Sequence, residues 1–345
     1  MKRLKILQFC NEDKATAWQR TQAFKNMNVQ LNVMFHSFHH KQYSFFLSIL
    51  YSVFHRIGFP LERNNENKSI KKEVITNSYD VIFIEKCLSL KPSTLKYIRK
   101  TNPNIKMICY TLDDFLGKGN RSQYFINSIP LYDIIATNKL HNITPYKNYG
   151  AQKVYYFKNA FSKVVHRPLA ISEEEKRVYC ADVSFIGTYE KDRAETLIYL
   201  AENGIRITVW GWTRDSKKGR INHPNILNME RYAYLDEFSK VIAGSKICLN
   251  FLRKSNKDTE TTRSIEIPAC RGFMIAERTE QHLELFTEGK EAEYFSSNEE
   301  LLSKIKYYLQ HEAQRRKIAE DGYNRCIISD YSYEKQLSNI LEQVI

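Results

Sequence analysis

Glycine is scarce, with 12 in 345 residues, and none forms a Gly-x-Gly turn after the first apolar run. That absence excludes the usual dinucleotide loop from the first half, because such a loop needs glycine for its tight turn and for close approach to a pyrophosphate. No Cys-x-x-Cys pair occurs. The seven cysteines (Cys10, Cys87, Cys109, Cys180, Cys248, Cys270 and Cys326) are scattered and odd in number. They exclude a zinc ribbon or a disulfide framework and read as buried free thiols in a reducing compartment. The longest apolar stretch is about a dozen residues, short of the ~20 that span a bilayer. The opening Met-Lys-Arg-Leu-Lys-Ile runs straight into a strand without a signal-peptide core. The expected location is therefore cytoplasmic. Repeats and low-complexity tracts are lacking. So are helix-turn-helix, zinc-finger and RNA-recognition signatures, which makes nucleic acid an unexpected partner.

What is present is an alternation of strands and helices over a length suited to two cores. Apolar runs at 4–9, 31–35, 79–84, 106–110, 131–136 and 153–157 read as strands, with helices at 15–26 and 92–99. The loop of residues 10–14 follows the first strand. A polar linker, 159–177, precedes a second series of strands at 181–186, 207–210, 245–250 and 273–276. Helices at 194–203, 234–243, 281–288, 297–310 and 331–344 separate or follow them. The expected class is α/β with doubly wound sheets. The expected domains are 1–165 and 178–328, with a C-terminal helix in 329–345. Residues 62–77 are polar without an apolar period and read as an exposed loop or a poorly ordered insertion.

Charge divides the chain. Residues 1–170 hold 26 Lys and Arg against 10 Asp and Glu, whereas 171–345 hold 26 against 29. A basic half implies an anionic neighbour, or serves solubility alone. Within it, Phe45, Phe46, Ile49, Leu50, Val53, Phe54 and Ile57 recur at helical spacing, flanked by His36, His39, His40, Lys41, His55 and Arg56. This segment reads either as a core helix or as a basic amphipathic helix lying in a membrane interface. The histidines have no cysteine or carboxylate at ligand spacing, so no metal site is expected. Asp113 and Asp114 close the strand 106–110. Such paired acids suit sugar hydroxyls or base chemistry, or else begin a helix.

The densest stretch is 258–280. Thr261 or Thr262 caps a short helix, Gly272 breaks it with a positive φ, Phe273–Ala276 forms a buried strand, and Glu277–Glu280 makes a polar strand-end loop. Ligands of open α/β sheets bind at strand C-terminal ends. Arg253, Lys254, Asp258, Arg263, Glu266, Thr279 and Glu280 all fall there, enough for half a nucleotide site. Arg263 has a plainer reading, an exposed salt bridge to Glu266 or Glu260. Earlier, Gly187 and Thr188 follow a strand and lead with Lys191 and Arg193 into a helix, the makings of an anion site.

The run from Arg263 to Phe286 resembles the signature of CgeB-type, group 1-like glycosyltransferases, over about Asp182 to the end. The resemblance implies GT-B architecture, two Rossmann-like doubly wound domains facing a cleft, and a nucleotide-sugar donor in the second domain. It implies that Asp258 and Glu266 stand at the family's E-x(7)-E spacing, with Asp258 near the sugar and Glu266 on the ribose. It places Lys191 or Arg193 at the diphosphate and Trp212 beside the base, where core packing is the alternative. Asn11, Trp18 and the Asp113–Asp114 pair fall to the acceptor side. The implied reaction is hexosyl transfer, retaining and metal-independent, without a cofactor beyond the nucleotide sugar, UDP-sugar first. A glycan or lipid-diphosphate-linked acceptor in surface polysaccharide assembly fits the basic half, as does an anionic membrane surface. A non-catalytic GT-B-like glycan-binding or coat protein is the alternative.

Overall fold

The computed structural model describes residues 3–12, 16–38, 44–117, 119–213 and 221–345. Two compact units emerge, one of residues 1–158 with 333–345 and one of residues 159–332.

The first unit runs β1 (Leu4–Glu12), α1 (Thr16–Asn26), β2 (Val29–Phe38), α2 (Phe45–Arg56), α3 (Glu66–Thr76), β3 (Val81–Glu85), α4 (Pro92–Thr101), β4 (Lys106–Thr111), α5 (Gln123–Ser128), β5 (Ile134–Thr137), α6 (Ile143–Asn148) and β6 (Val154–Tyr156). All its strands are parallel, in the order β2-β1-β3-β4-β5-β6. The order reverses between β1 and β3, the point where doubly wound sheets open a crevice beyond their strand C-termini. β3 is wholly buried and β1 is buried over its middle, Ile6 to Cys10, which is why they read as apolar runs. Leu7, Phe9, Ile82, Ile84, Leu95, Ile98 and Met107 share one core. A buried polar cluster crosses this sheet. Arg20 of α1 and Gln8 of β1 both donate to the Glu85 carboxylate, and the Arg20 guanidinium lies 4.8 Å from the Tyr110 ring centre.

The second unit runs α7 (Glu173–Tyr179), β7 (Ala181–Ile186), α8 (Lys191–Glu202), β8 (Ile207–Trp210), β9 (Ile226–Asn228), α9 (Asp236–Gly244), β10 (Ser245–Asn250), α10 (Arg263–Ala269), β11 (Met274–Glu277), α11 (Glu280–Leu285), β12 (Glu293–Phe295), α12 (Asn298–Gln310) and α13 (Glu312–Ile328). Its sheet is also parallel, ordered β12-β11-β10-β7-β8-β9. This is Rossmann order, with the reversal between β7 and β10. The two-residue period of the strands feeds two cores. Val183, Val209, Ile247 and Leu249 face one, and Ile186, Trp210 and Cys248 face the other. The last helix, α14 (Tyr333–Leu341), packs on α1 in the first unit, where Tyr110 Oη donates to Gln336 Oε1 at 3.0 Å.

Several expectations are corrected. Residues 62–77 are not a loop. α3 forms because Ile70 and Val74, one turn apart, are buried, and because the Glu66 carboxylate accepts the Asn64 backbone N–H at 2.9 Å. Asn67 Oδ1 then accepts from Lys91 N and Thr94 Oγ1, tying α3 to α4. α2 is not a core helix, since Phe46, Leu47, Ile49, Leu50, Val53 and Ile57 are exposed. Gly272 does not carry the positive φ. Arg271 does, at 60°, and Gly272 is needed for space, because a Cβ there would lie 2.4 Å from Ile242 Cγ2. α13 was not expected at all. Six of the cysteines are buried, but Cys180 is exposed. His39, His40, Lys41, Asp13 and Lys14 lie outside the described residues. Among the described residues, no helix is long and apolar enough to cross a membrane.

Candidate active site

At the C-terminal ends of β7 and β8, two turns meet closely. Gly187 N donates to Trp210 O at 3.0 Å. Gly211 adopts a φ of +97°, and a Cβ on it would stand 2.6 Å from Gly187 O. Glycine at both places lets the β7 and β8 ends converge. Beside them, Arg193 of α8 turns inward. Its guanidinium donates to the carbonyls of Thr188, Phe251 and Leu252, at 3.0, 3.2 and 3.3 Å. Arg193 therefore clasps the β7 and β10 loops together instead of presenting its charge to a ligand, which corrects its expected place at a diphosphate.

The start of α10 is fixed by a buried polar relay. The Ser264 hydroxyl accepts from Thr261 N and from Asn250 Nδ2, each at 3.0 Å, and sits 2.7 Å from His282 Nε2. His282 Nδ1 lies 2.6 Å from the Glu277 carbonyl oxygen, which can only accept. Nδ1 thus carries the proton, and Nε2 accepts from Ser264. The expected threonine cap is absent, since neither Thr261 nor Thr262 caps α10 through its side chain. Thr279 instead caps α11, accepting from His282 N at 3.1 Å, and Glu280 is the exposed first residue of that helix.

On α10, Arg263 and Glu266 lie one turn apart and are ion-paired. The Arg263 guanidinium stacks 4.6 Å from the Phe238 ring centre and its Nε donates to Ile186 O at 3.3 Å. Glu266 is wholly buried, and its Oε1 accepts no hydrogen bond. His166 Nε2 lies 3.6 Å from that oxygen. His166 Nδ1 accepts from Ser162 N at 3.0 Å, so Nε2 holds its proton and points at Glu266. Burial pushes His166 down to about 4, against the pull of Glu266. A neutral imidazole thus faces a carboxylate with spare acceptor capacity. Burial also raises the Glu277 carboxyl, whose Oε1 accepts Leu252 N at 2.8 Å.

The remaining candidates line the same edge more openly. Arg253 stands 3.6 Å from Glu190 and Lys254 2.9 Å from Asp192, both with exposed side chains. Lys191 is solvent-exposed beside Glu195. Asp258 accepts from Asn256 Nδ2 at 2.8 Å. Trp212 follows its core-packing alternative: it is 1% exposed and packs against Phe185 and Tyr189.

In the first unit, the two aspartates part ways. Asp114 is buried, and its Oδ1 accepts Leu116 N, Gly117 N and Asn142 Nδ2 at 2.9–3.2 Å. Burial alone raises its carboxyl, but the Asn142 amide and His141 outweigh that and hold it below the usual range. Asp114 is therefore a turn-forming residue, not a helix cap. Asp113 pairs with Lys86, which leaves β3 with a φ of 45°. Lys86, His36 and Asn11 line a pocket of about 260 Å³ at the β1–β3 reversal. Lys86 and the His166–Glu266 contact were missed in the sequence. Only Lys86, directly after an apolar run, left a local signal.

The glycosyl transferase-like family matches residues 193–342. No curated protein matches in sequence. Solved structures are similar along the full length. Sucrose-phosphate synthase from Thermosynechococcus elongatus has a TM-score of 0.67 at 10% identity, covering 99% of each chain. A glycosyltransferase from Rickettsia africae has 0.67 at 12%, covering 100% of this chain and 99% of its own. Anabaena HepE in complex with UDP and glucose has 0.61 at 13%, covering 99% and 100%. The chain thus has the GT-B glycosyltransferase fold, and the stretch that matches the glycosyl transferase-like family includes the run from Arg263.

Proposed function

We propose that the protein transfers a sugar from a nucleotide-diphosphate donor held by the second unit to an acceptor held by the first. The observation that carries this is the α10 edge: Glu266 offers a buried carboxylate oxygen without a hydrogen bond, next to the Arg263 guanidinium. Two carboxylate oxygens suit vicinal ribose hydroxyls. As the glycosidic bond breaks, negative charge grows on the leaving diphosphate, and a preoriented guanidinium stabilises that state more than the ground state. Arg263 is held for this by Phe238 and Ile186 O, while Arg253, Lys254 and Lys191 supply exposed positive charge on the neighbouring loops. UDP-sugar is the donor we favour; the Anabaena neighbour binds UDP and glucose. We assign the transfer as retaining and metal-independent, in the manner of the families this chain resembles. The acceptor we assign is a glycan or a lipid-diphosphate-linked glycan of surface polysaccharide, worked on at the inner face of a membrane.

Calorimetric titration with UDP, GDP and dTDP tests the donor half. UDP should bind, and Glu266→Ala should weaken it by at least about tenfold, the loss of one or two hydrogen bonds to a charged group. Unchanged affinity in the variant removes Glu266 from the site. Transfer unaffected by chelator, with retained anomeric configuration by NMR, is the expected outcome for the chemistry. A non-catalytic glycan-binding role is favoured instead if none of the three nucleotides binds, because Glu266 then serves only its ion pair with Arg263.

A further inference from the structure

The first unit carries the chain's entire net charge. It holds 25 Lys and Arg against 12 Asp and Glu, whereas the second unit balances 27 against 27. On this basic unit, α2 leaves most of its apolar surface in water: Phe46 is 81% exposed, Ile57 60%, and Leu47, Ile49, Leu50 and Val53 between 44% and 47%. Contiguous apolar surface of this kind marks an interaction site in a soluble chain. Its inner side reaches the pocket at the β1–β3 reversal, which Tyr51 and His55 of α2 line together with Arg63, Lys86 and Asn120. Arg63 lies 5.0 Å from the Tyr51 ring centre, so the head of this arginine is held against α2 itself. Lys86 is fixed there by its left-handed backbone and its pairing with Asp113. At about 260 Å³ the pocket is smaller than the roughly 300–1,000 Å³ of pockets that enclose whole ligands, so it suits a head group and not a long sugar chain.

We propose that α2 and this pocket together seat one phosphorylated lipid of an anionic bilayer: the outer faces of α2 lie among the acyl chains, and Arg63, Lys86 and His55 receive the phosphate. The juxtaposition is specific. An apolar helix backed by cations within one side-chain length matches a molecule whose phosphate sits at the apolar–polar boundary. Membrane residence follows from two weak terms acting together, apolar burial and attraction of the basic unit to anionic lipid. The proposal rests on the first unit being the acceptor half. It names the acceptor's anchor as a phosphate on a lipid.

Flotation of the full chain with vesicles tests it without any nucleotide, so its failure is separable from failure of the donor reading, which calorimetry decides. The vesicles are phosphatidylcholine alone, or with phosphatidylglycerol, or with phosphatidic acid. The protein should float with both anionic mixtures, better with phosphatidic acid, whose terminal phosphate can enter the pocket. Val53→Asp should lower the bound fraction about tenfold on both, because one apolar side chain is replaced by a charge. Arg63→Gln should remove the preference for phosphatidic acid while leaving attachment to phosphatidylglycerol. Both positions are exposed, and unchanged thermal melting confirms that the variants fold. No flotation of the wild type on anionic vesicles, or equal flotation of Val53→Asp, overturns the proposal. So does a wild-type dimer that Val53→Asp converts to a monomer without any lipid binding, since the face then belongs to a second copy. Flotation with no preference for phosphatidic acid overturns the pocket's part in it.

Discussion

His166 and His282 are neutral in the folded chain, because burial pushes each down to about 4. Unfolded, both titrate near the ordinary histidine value of about 6.5. Between those values the unfolded chain binds more protons than the native one, so stability falls as pH falls from about 6.5 to about 4, and is fully present above that window. Each histidine contributes a slope of up to about 1.4 kcal/mol per pH unit there. Urea titrations at pH 7, 6 and 5 should show the loss, and His166→Gln should flatten the dependence. An equal slope in the variant removes His166 from the account. The arginine and lysine that share the start of α8 separate in the same residue-level way. Arg193→Gln strips donors from three carbonyls, two of them in buried hydrogen bonds, and should cost about 2–3 kcal/mol. Lys191→Gln, at an exposed position, should change stability by less than about 0.5 kcal/mol. If the lysine variant is the costlier one, the clasp described for Arg193 is wrong.

The turn after α10 shows what an element demands of adjacent residues. Gly272 has no room for a methyl group, with Ile242 Cγ2 at 2.4 Å and Ile267 Cγ2 at 3.0 Å from the place it would take. Gly272→Ala should therefore cost about 1–3 kcal/mol through overpacking. Arg271 holds the left-handed conformation, and a glycine there relieves backbone strain while losing the contact with Tyr323 and the pair with Glu320. Arg271→Gly should come out within about 0.5 kcal/mol of wild type by chemical denaturation. The reversed ranking would contradict the space argument. Here the sequence showed a break but not which residue bends, because a glycine can serve conformation or space and only neighbours decide. Buried strands such as β3 and β10 were legible for the opposite reason, since burial on both faces writes an unbroken apolar run. α3 was hidden because its buried face is polar at Glu66 and Asn67 and apolar only at Ile70 and Val74. The relay of Asn250, Ser264 and His282 was hidden by sequence separation: its members meet only once β10, α10 and α11 are placed.

At the scale of the whole molecule, the charge separation assigns different salt responses to the two proposed activities of one chain. The first unit is strongly basic and the second is neutral. Attraction of a basic unit to an anionic surface acts through solvent over a Debye length of about 10 Å at 0.1 M salt and only about 3 Å at 1 M. The contacts proposed for a nucleotide at α10 would be short-ranged, made by Glu266 in a buried setting and by an arginine stacked on Phe238, and screened much less. UDP at about 100 times its dissociation constant should stabilise the full chain by about 2.7 kcal/mol, seen as a raised melting temperature. Raising salt from 0.05 to 0.5 M should leave most of that shift in place, while flotation on phosphatidylglycerol vesicles falls to the level on phosphatidylcholine. If the UDP shift and vesicle binding decline in parallel, the two activities share one set of charges, and assigning them to separate units fails. If only vesicle binding declines, as expected, donor affinity can be measured at high salt with the protein detached from lipid, which isolates the chemistry of the second unit from the surface behaviour of the first.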